Sequence, residues 1–597
     1  MPSQEIQSFL SWFQAHNGYI DTNAMDIVPL PPSEGGRGAV ALIDIPENHT
    51  LFSVPRSMIL TTRTSELPPR FGPDAWTGFG LHLGWSGLIL CLMWEAARGA
   101  ESKWAPYFEI MPTKFDTPMF WNEEDMAELK GTSVVDKLGK DLAEKDYHEK
   151  IVPAIQSRPD LFPPESLATH YSLEVYHMMG TRVLSRSFTL AEEEVEDEDE
   201  DDHHALPPKE DGAAHPHVPE SPSTEEAGNT SLGSAMDVDE PAQGTDAAAH
   251  DQEHESETAD ANEPADGGSE SDSDEEDAPE VAMVPMADIL NARYKHDNVK
   301  LFHERDSLRM VSTRPIKAGE QIWNTYGDLP NSDLLRGFGH VDYMPLPYAP
   351  GEYGNPGDVV EVRADVIVQC ALDYLNGDSG GDGEGSVNAR REKKATTEDM
   401  TERIDWWLEE GGDDIFLLEH PTNITPPPSQ KQKSSSASAS TDPTALLTSS
   451  LSILPLSFIQ LLLQSPSEFA KTQAKAKPPK PSASLPLLRV LLSSLDKRAS
   501  MYPTTLEEDE RLVKETEGGL EGMSLNKRHA MIVRMGEKRV LRDVRRCVEG
   551  VLQEVERREK EDPSAAEKAK GAAKKVLSRA EKRKAERAEG GGGKRRK

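Results

Sequence analysis

The chain has 597 residues, a formal net charge of -40 at neutral pH and a hydrophobic fraction of 36%. A single core rarely grows beyond about 250 to 300 residues, so this length predicts two or three domains. The three cysteines, Cys91, Cys370 and Cys547, lie too far apart for a zinc motif or a disulfide framework, which excludes a small disulfide-stabilised protein and favours a reducing compartment.

No segment of the sequence predicts a membrane protein. The stretch Met1–Trp12 lacks a basic region followed by an apolar run, and Leu88–Trp94 is too short to span a bilayer. We therefore expect a soluble intracellular protein.

The first 190 residues predict mixed secondary structure. Ser3–His16 has the apolar spacing of an amphipathic helix, and a glycine cluster at 35–38 precedes two short strand-like runs. The predicted strands are Ala39–Ile45 and Thr50–Val54, and the predicted helices are Leu88–Ala97 and Ser166–Leu184.

Residues 191–280 hold most of the negative charge. They contain 33 acidic residues and a single basic one, Lys209, with few bulky apolar side chains. Such a segment cannot bury enough surface to offset the entropy of ordering, so we predict a disordered acidic insert. Four of its histidines, His203, His204, His215 and His217, could suggest a metal site, but in an acidic tract they are more often incidental, and we predict none.

Folded character resumes at Val281. Strand-like runs cover Val299–Phe302, Leu308–Ser312 and Glu320–Tyr326. From about residue 351 the apolar periodicity predicts helices over Val359–Leu375, Thr401–Leu408, Leu446–Leu463, Leu485–Leu495 and Lys527–Arg557. The basic run from Lys574 to Lys597 is typical of a nuclear-import or nucleic-acid signal.

Two segments contain residues suited to holding an amino-acid-like ligand. In Gly35-Gly36-Arg37-Gly38 the glycines allow close backbone approach, although a tight turn without a ligand is the commoner reading. Arg186, just before the insert, could grip a carboxylate, and Asn291, just after it, could both donate and accept hydrogen bonds. A surface ion pair and a turn residue are the alternatives.

A third segment runs from Arg314 to Gly327 and is followed by Phe338-Gly339. Its glycine turn feeds a strand that ends in Tyr326-Gly327, which places the phenol at a strand terminus. A tyrosine that only packs its ring is the alternative.

Together, and in this order, the three segments resemble a SET-domain protein-lysine N-methyltransferase. More narrowly, they resemble the split-SET subclass with a Rubisco-LSMT-like substrate-binding domain, to which the fungal ribosomal lysine N-methyltransferases belong. The resemblance covers about residues 1–345 apart from the insert, and Tyr502–Asp509 with Lys527–Ala530 looks like the helical domain.

The resemblance implies an α+β fold: a SET-domain β-fold of short strands with an inserted helical region, then an all-α C-terminal domain, with the long disordered acidic insert. The expected domains are 1–190 and 281–345 for the two parts of the SET domain, 191–280 for the insert, 351–560 for the substrate-binding domain and 561–597 for a basic tail.

The resemblance also implies a site for S-adenosyl-L-methionine. Gly36, Arg37 and Gly38 would approach the cofactor, Arg186 would hold its carboxylate, and Asn291 and Ala292 would contact its methionine end. Many relatives have histidine where this chain has Ala292, so contact there could only be through the backbone. Phe188, Asp288 and Trp323 would shape the substrate-lysine channel, and Tyr326 would be the catalytic tyrosine, also touching the cofactor.

These residue types suit methyl transfer to an amine. A free lysine has a pKa near about 10.4, so only on the order of one amine in a thousand is neutral at pH 7. An apolar channel of Phe188, Trp323 and Tyr326 beside a positive sulfonium would raise the neutral fraction by desolvation and like-charge repulsion. No metal is needed.

Two other functions stay open. The SET scaffold could be a non-catalytic binding protein whose acidic insert captures basic partners, or the acceptor could be histidine, as in a similar subclass that modifies actin. The resemblance favours monomethylation of a basic ribosomal protein. We expect a monomer without a membrane role, and no direct role in binding nucleic acid is required. The expected location is the nucleus, with the cytoplasm as a second one.

Overall fold

The computed structural model describes residues 3–31, 35–190, 280–377, 397–421 and 442–561. Nearly all of the predicted acidic insert, including the four histidines weighed as a metal site, and nearly all of the basic tail lie outside the described residues. The chain divides into two compact units. The first comprises Met1–Met119, Gly139–Asp328 and Gly337–Gly339, and the second comprises Phe120–Leu138, Leu329–Arg336 and His340–Lys597.

The first unit is built on short antiparallel strands. They are β1 (Tyr19–Ile20), β2 (Met25–Pro29), β3 (Arg37–Ala41), β4 (Thr50–Pro55), β5 (Ser187–Leu190), β6 (Glu280–Met283), β7 (Val299–His303), β8 (Ser307–Ser312) and β9 (Gln321–Ile322). They form a four-stranded sheet in the order β1-β4-β8-β7, a three-stranded sheet β2-β3-β9 and the pair β5-β6. The strands are short because turns and glycines interrupt the apolar alternation.

Helices cover these sheets. They are α1 (Gln4–Ala15), α2 (Leu67–Phe71), α3 (Pro73–Gly78), α4 (Ser86–Ala97), α5 (Ala105–Ile110), α8 (Lys140–Asp146), α9 (Val152–Ser157), α10 (Leu167–His170) and α11 (Leu173–Arg186). The single helix predicted over Ser166–Leu184 is wrong, because the chain breaks into α10 and α11. The Ser172 side chain accepts the Val175 N–H at 3.3 Å and starts the second helix there.

The β5-β6 pair brings together residues from the two ends of the acidic insert. Ser187 lies opposite Met283, and Leu190 lies opposite Glu280. Because α11 ends at Arg186 directly before β5, and Asp288 follows soon after β6, the two segments that the sequence separates meet in one hairpin.

The second unit is mainly helical, as predicted. Its helices are α6 (Glu123–Ala127), α7 (Ser133–Asp136), α13 (Ala364–Asn376), α14 (Thr397–Glu409), α15 (Pro443–Ser450), α16 (Ile453–Leu462), α17 (Pro466–Gln473), α18 (Leu485–Ala499), α19 (Leu506–Glu515) and α20 (Leu525–Glu561), with most of α12 (Asn331–Phe338). Small sheets are formed by β10 (Met344–Pro345) with β11 (Tyr353–Gly354) and by β12 (Val359–Arg363) with β13 (Ile415–Glu419).

The helix predicted over Val359–Leu375 is wrong for its first five residues. Residues Val359–Arg363 form β12, and the helix begins only at Ala364. The alternation of β-branched valines with a glutamate and an arginine favours a strand, and β13 supplies the partner that local sequence could not reveal.

The segment Phe120–Leu138 lies in the first half of the sequence but belongs to the second unit. Arg534 donates to the Glu128 backbone oxygen at 2.9 Å and to its carboxylate at 3.0 Å, and the Ser133 hydroxyl donates to Glu537 at 3.0 Å. Buried charges of this kind need such partners. The polar contacts therefore hold the segment to α20.

The described residues contain neither a candidate membrane-spanning helix nor a candidate metal-binding cluster. None of the helices there combines the length and the apolar character needed to cross a membrane. Nor do the described His, Cys, Asp and Glu side chains form a group of three or more that could hold a metal ion.

Candidate active site

A cavity in the first unit gathers residues from distant parts of the sequence. Its volume is about 190 Å³, and it is lined by Gly35, Gly36, Arg37, Ile110, Pro112, Arg186, Ile289 and Asn291. It thus contains four of the predicted cofactor residues, Gly36, Arg37, Arg186 and Asn291. Gly38, Ala292 and Tyr326 are not part of its lining.

The glycine turn makes room for the Asn291 amide. A Cβ added at Gly35 would stand 2.8 Å from that amide, and one added at Gly38 would stand 2.8 Å from its nitrogen and 2.5 Å from the amide nitrogen of Gln321. The Asn291 amide in turn donates to the Arg37 backbone oxygen at 2.9 Å. At Gly36, by contrast, nothing lies within 4 Å of an added Cβ, so the backbone there faces open space.

Arg186 is held by Asp288, which lies on the other side of the insert in the sequence. Its Nη1 donates to the Asp288 backbone oxygen at 2.7 Å and lies 3.5 Å from the carboxylate. The Tyr107 hydroxyl donates to the same carboxylate at 2.8 Å. Burial raises the pKa of Asp288, while the positive charge of Arg186 opposes that rise. The Arg186 Nε atom is buried and has no hydrogen-bond partner among the described residues.

A second guanidinium lies at the same cavity. Arg37 donates to the Ile110 backbone oxygen at 2.9 Å. Burial lowers its pKa, and repulsion from Arg186 adds to the effect. Two guanidiniums and one buried carboxyl leave an excess of positive charge, which suits an anionic group such as a carboxylate.

Tyr326 is hydrogen-bonded to a residue that adjoins this lining in the sequence. Its hydroxyl donates to the Leu290 backbone oxygen at 3.1 Å, and Leu290 stands between the lining residues Ile289 and Asn291. Its ring stacks on Phe338, with centroids 4.2 Å apart. Burial raises the pKa of Tyr326 to about 12, so the phenol keeps its proton at neutral pH.

Asn291 and Ala292 are hydrogen-bonded or paired with the segment that leads to Tyr326. Ala292 and Asn324 form an isolated parallel bridge, and the Asn324 N–H donates to the Asn291 backbone oxygen at 2.9 Å. Met286, a few residues earlier, has φ +78°, a conformation that costs a non-glycine residue on the order of 1 to 3 kcal/mol. Such strain clusters at ligand sites, and here it precedes the short helical turn that carries Asp288.

The three residues predicted for the lysine channel have different surroundings. Phe188 is buried in β5 opposite Ala282, and Asp288 is buried against Arg186. Trp323 lies under the guanidinium of Arg293, at 5.3 Å from its ring centroid. Their roles toward a substrate stay predictions, as do the cofactor contacts of Gly38, Ala292 and Tyr326.

Several site residues were not identified from the sequence. Tyr107 and Ile110 belong to α5, a short helix with no motif to mark it, and they reach the site only through tertiary folding. Phe338 was noted in the sequence as part of the Phe338-Gly339 pair that follows the Tyr326 segment, but no role was predicted for it. That position in the sequence was the signal that could have indicated its contact with Tyr326.

A larger groove of the first unit, about 810 Å³ in volume, contains none of the predicted site residues. It lies beside α1 and α5 and is lined by small, aromatic and charged side chains, including Trp12, Glu101, Lys103 and Phe108. Size alone therefore does not identify the site, and the convergence of perturbed polar groups is the better guide.

The chain is similar in sequence and in fold to several known proteins. Residues 430–541 match the family model described as Rubisco LSMT substrate-binding. The chain is 26% identical to ribosomal lysine N-methyltransferase 4 of Saccharomyces cerevisiae, covering 59% of this chain and 58% of that protein. It is 30% identical to the Schizosaccharomyces pombe protein of the same name, covering 52% and 61% respectively.

The human N-lysine methyltransferase SETD6 is 28% identical, over 56% of this chain and 53% of that one. The chain thus spans less than two thirds of the length of these curated relatives. Among solved structures, Rubisco LSMT bound to AdoMet aligns with a TM-score of 0.52 at 17% identity, covering 94% of this chain and 96% of that chain. The SET domain of LSMT bound to lysine and AdoHcy gives a TM-score of 0.53 at 16% identity.

These likenesses confirm the predicted fold. The first unit has a SET-domain, LSMT-like architecture of mixed helices and strands, and the second has the helical region that accompanies it. The predicted resemblance to the split-SET class with a Rubisco-LSMT-like substrate-binding domain is likewise confirmed.

Proposed function

We propose that this protein transfers a methyl group from S-adenosyl-L-methionine to a lysine side chain of a protein. One observation carries the proposal: Arg186 and Asn291, from opposite ends of the acidic insert, line one cavity with Gly36 and Arg37. The Tyr326 hydroxyl is hydrogen-bonded to Leu290, which stands between two lining residues in the sequence. The names of the relatives, which are lysine methyltransferases, support the same function.

The cavity fits the amino-acid portion of the cofactor. A volume of about 190 Å³ is smaller than the roughly 300 to 1,000 Å³ of a typical drug-sized pocket, so it suits part of a ligand. Arg186 and Arg37 would face the carboxylate, and the buried Nε of Arg186 still has a hydrogen to donate. The open side of Gly36 allows close backbone approach. When bound, the cofactor supplies a methyl group on a positively charged sulfur.

The residues of this chain prepare the acceptor amine. The apolar channel expected from Phe188, Trp323 and Tyr326 would disfavour the ammonium form of the acceptor by desolvation, which increases the fraction of neutral lysine. The Tyr326 hydroxyl keeps its proton and is fixed by the Leu290 carbonyl, so its oxygen can accept a hydrogen bond from the amine and orient the lone pair. Phe338 stacks on the phenol and restricts its ring.

We further propose a basic ribosomal protein as the substrate and one methyl group as the product. The yeast relatives named ribosomal lysine N-methyltransferase 4 support the first statement, and the resemblance to that subclass supports the second. The basic run at Lys594-Arg595-Arg596-Lys597 supports a nuclear location, with the cytoplasm as a second one. A monomer is the expected state.

Incubation of the full chain with tritiated cofactor and purified ribosomal proteins tests the proposal. We expect label on a ribosomal protein, a single methyl group placed on lysine by mass spectrometry, and labelling about a hundredfold slower with Tyr326→Phe. Label on histidine would replace the proposal with the histidine alternative. Absence of label with both ribosomal proteins and histones would favour the non-catalytic binding protein.

A further inference from the structure

On one face of the β12-β13 sheet in the second unit, Lys137 pairs with Glu361 of β12, whereas the side chains of β13 stay exposed among the described residues. The other face, formed by Val360, Val362, Phe416 and Leu418, is buried in the core that includes residues of α18 and α20. Ile415 and Leu417 point the opposite way and remain 42% and 50% exposed. The two side chains therefore form a small exposed apolar patch on one side of β13.

The neighbouring helix α14 extends this surface. Its Trp406 and Trp407 are buried, whereas the next residue, Leu408, is 46% exposed. The Trp407 indole donates to the Asp413 backbone oxygen at 2.8 Å, and a Cβ at Gly412 would stand 2.3 Å from that indole. The turn between the helix and β13 is therefore tightly fixed, and the Trp407 ring, 6.2 Å from that of Phe416, keeps the end of α14 beside the strand.

The segment that forms α14 and β13 carries a large net negative charge, while Arg363 of β12, opposite Ile415, is paired with Asp365. Between Thr397 and Glu419 there are nine acidic residues and one basic residue, Arg403. Arg403 is buried, with its guanidinium donating to the backbone oxygens of Asp399 and Gln464. Eight of the carboxylates are exposed and form no ion pair with any described residue: Glu398, Glu402, Asp405, Glu409, Glu410, Asp413, Asp414 and Glu419.

We propose that this surface, the α14-β13 face, binds a basic, partly apolar segment of the protein substrate. The inference rests on the proposed function for the identity of the partner as a substrate. Charge alone would suit a solvated helix face, but such a face does not require exposed Leu408, Ile415 and Leu417. Apolar contacts surrounded by unpaired carboxylates match a segment in which lysine or arginine alternates with apolar residues.

The charge also selects among other occupants. A second copy of the chain would bring an identical acidic face, and like charges oppose that contact. Nucleic acid is a polyanion and is repelled for the same reason. A basic protein segment has the complementary charge.

The expected consequence is a change in affinity rather than in the chemical step. A docked segment raises the local concentration of the target lysine, so it lowers KM for a whole protein substrate and leaves kcat unchanged. A short peptide that lacks the docking segment gains nothing from the face.

Binding can be measured without catalysis. The probe is a synthetic peptide of alternating lysine and valine that carries a fluorophore and a photo-crosslinker, and the protein is the full chain. The test variant combines Glu402→Gln, Asp405→Asn and Glu409→Gln. The control combines Glu507→Gln, Glu515→Gln and Glu517→Gln, which removes three exposed carboxylates of the same unit from α19 and the turn after it. A further variant, Leu417→Ser, tests the apolar part.

Each exposed charge contributes modestly, so we expect the test variant to weaken peptide binding about tenfold and the control to change it less than about twofold. Crosslinks should map to residues 397–419 in the native chain and fall in the test variant. Crosslinks confined to residues 191–280, or equal losses in both triple variants, would overturn the proposal.

Steady-state kinetics of methyl transfer distinguish this proposal from the proposed function. With a ribosomal protein as substrate, the test variant should raise KM about tenfold at unchanged kcat, and with a short lysine peptide both constants should stay native. If the native chain methylates nothing but the crosslinks still map to the face, the proposed function fails and docking of a basic segment stands. An unchanged KM with the whole protein would overturn docking while leaving the methyltransferase intact.

Discussion

The rings of Tyr326 and Phe338 lie parallel, with an angle of 9° between their planes. The stack fixes the phenol while its hydroxyl donates to the Leu290 carbonyl. A side chain held from its ring and from its hydroxyl has little freedom, which is what orientation of a reacting amine requires.

Replacing Tyr326 with phenylalanine should keep the stack and remove only the hydroxyl. We expect kcat for methyl transfer to fall about a hundredfold, in line with the loss of one oriented polar group at a reaction centre. Cofactor affinity should stay close to native. Tyr343→Phe, at an exposed tyrosine of the second unit, is the matched control. Native turnover by the Tyr326 variant would remove the assigned role.

Replacing Arg186 with alanine should weaken cofactor binding. Hydrogen bonds to charged groups contribute about 1.5 to 3 kcal/mol, so we expect the Kd measured by titration calorimetry to rise about ten- to a hundredfold. Arg309→Ala, at a surface arginine paired with Glu304, serves as the control. Unchanged affinity in the Arg186 variant would contradict its placement at the carboxylate.

Gly38→Ala should displace the Asn291 amide. The added methyl would stand 2.8 Å from the Asn291 nitrogen, and that amide is already fixed by the Arg37 carbonyl. We expect a loss of about 1 to 3 kcal/mol in stability together with weaker cofactor binding in a thermal-shift titration. Gly78→Ala in α3, where nothing lies within 4 Å, should be native in both measurements. The same behaviour in both variants would count against this role of Gly38.

Asp358 should make the second unit less stable as pH rises. Its carboxyl accepts the Asn331 N–H at 2.9 Å and lies against Gly536 of α20, and burial raises its pKa from 3.8 to about 7. Since the folded pKa is the higher one, the stabilising contribution is complete below about pH 4 and is lost as pH rises through about 7.

Asp358→Asn removes this titration. Relative to the native chain, the variant should gain about 2 kcal/mol of unfolding free energy between about pH 5 and pH 8, as measured by denaturant titration at each pH. Asp365→Asn, at an exposed carboxylate paired with Arg363, should follow the native profile. Parallel curves for Asp358→Asn and the native chain would show that the group does not titrate in this range.

The sequence singled out several residues that line the cavity, because the chemistry expected there depends on few residue types. Arg186, Asn291 and Gly36 carry distinctive functional groups, and the order of their segments restricts the possible folds. The pairing of β5 with β6 then brings two of them together. Tyr107 could not be found in this way, because its contact with Asp288 joins positions that no local pattern connects.

The failures of secondary-structure prediction have a similar cause. An apolar run such as Val359–Leu375 is compatible with helix and strand, and the choice at β12 depends on β13, which lies beyond the following helix. The place of Phe120–Leu138 depends on Arg534 and Glu537, which lie near the end of the described chain. Long-range partners decide both cases.

The closed hairpin of β5 and β6 also bears on how this protein tolerates changes in length. Leu190 and Glu280 are directly opposite each other, so the chain that joins them leaves β5 and enters β6 at paired positions. The entropic cost of joining two adjacent ends grows only by about 0.6 kcal/mol for each doubling of length. We therefore expect changes in the length of this connection to leave Arg186 and Asn291 in place.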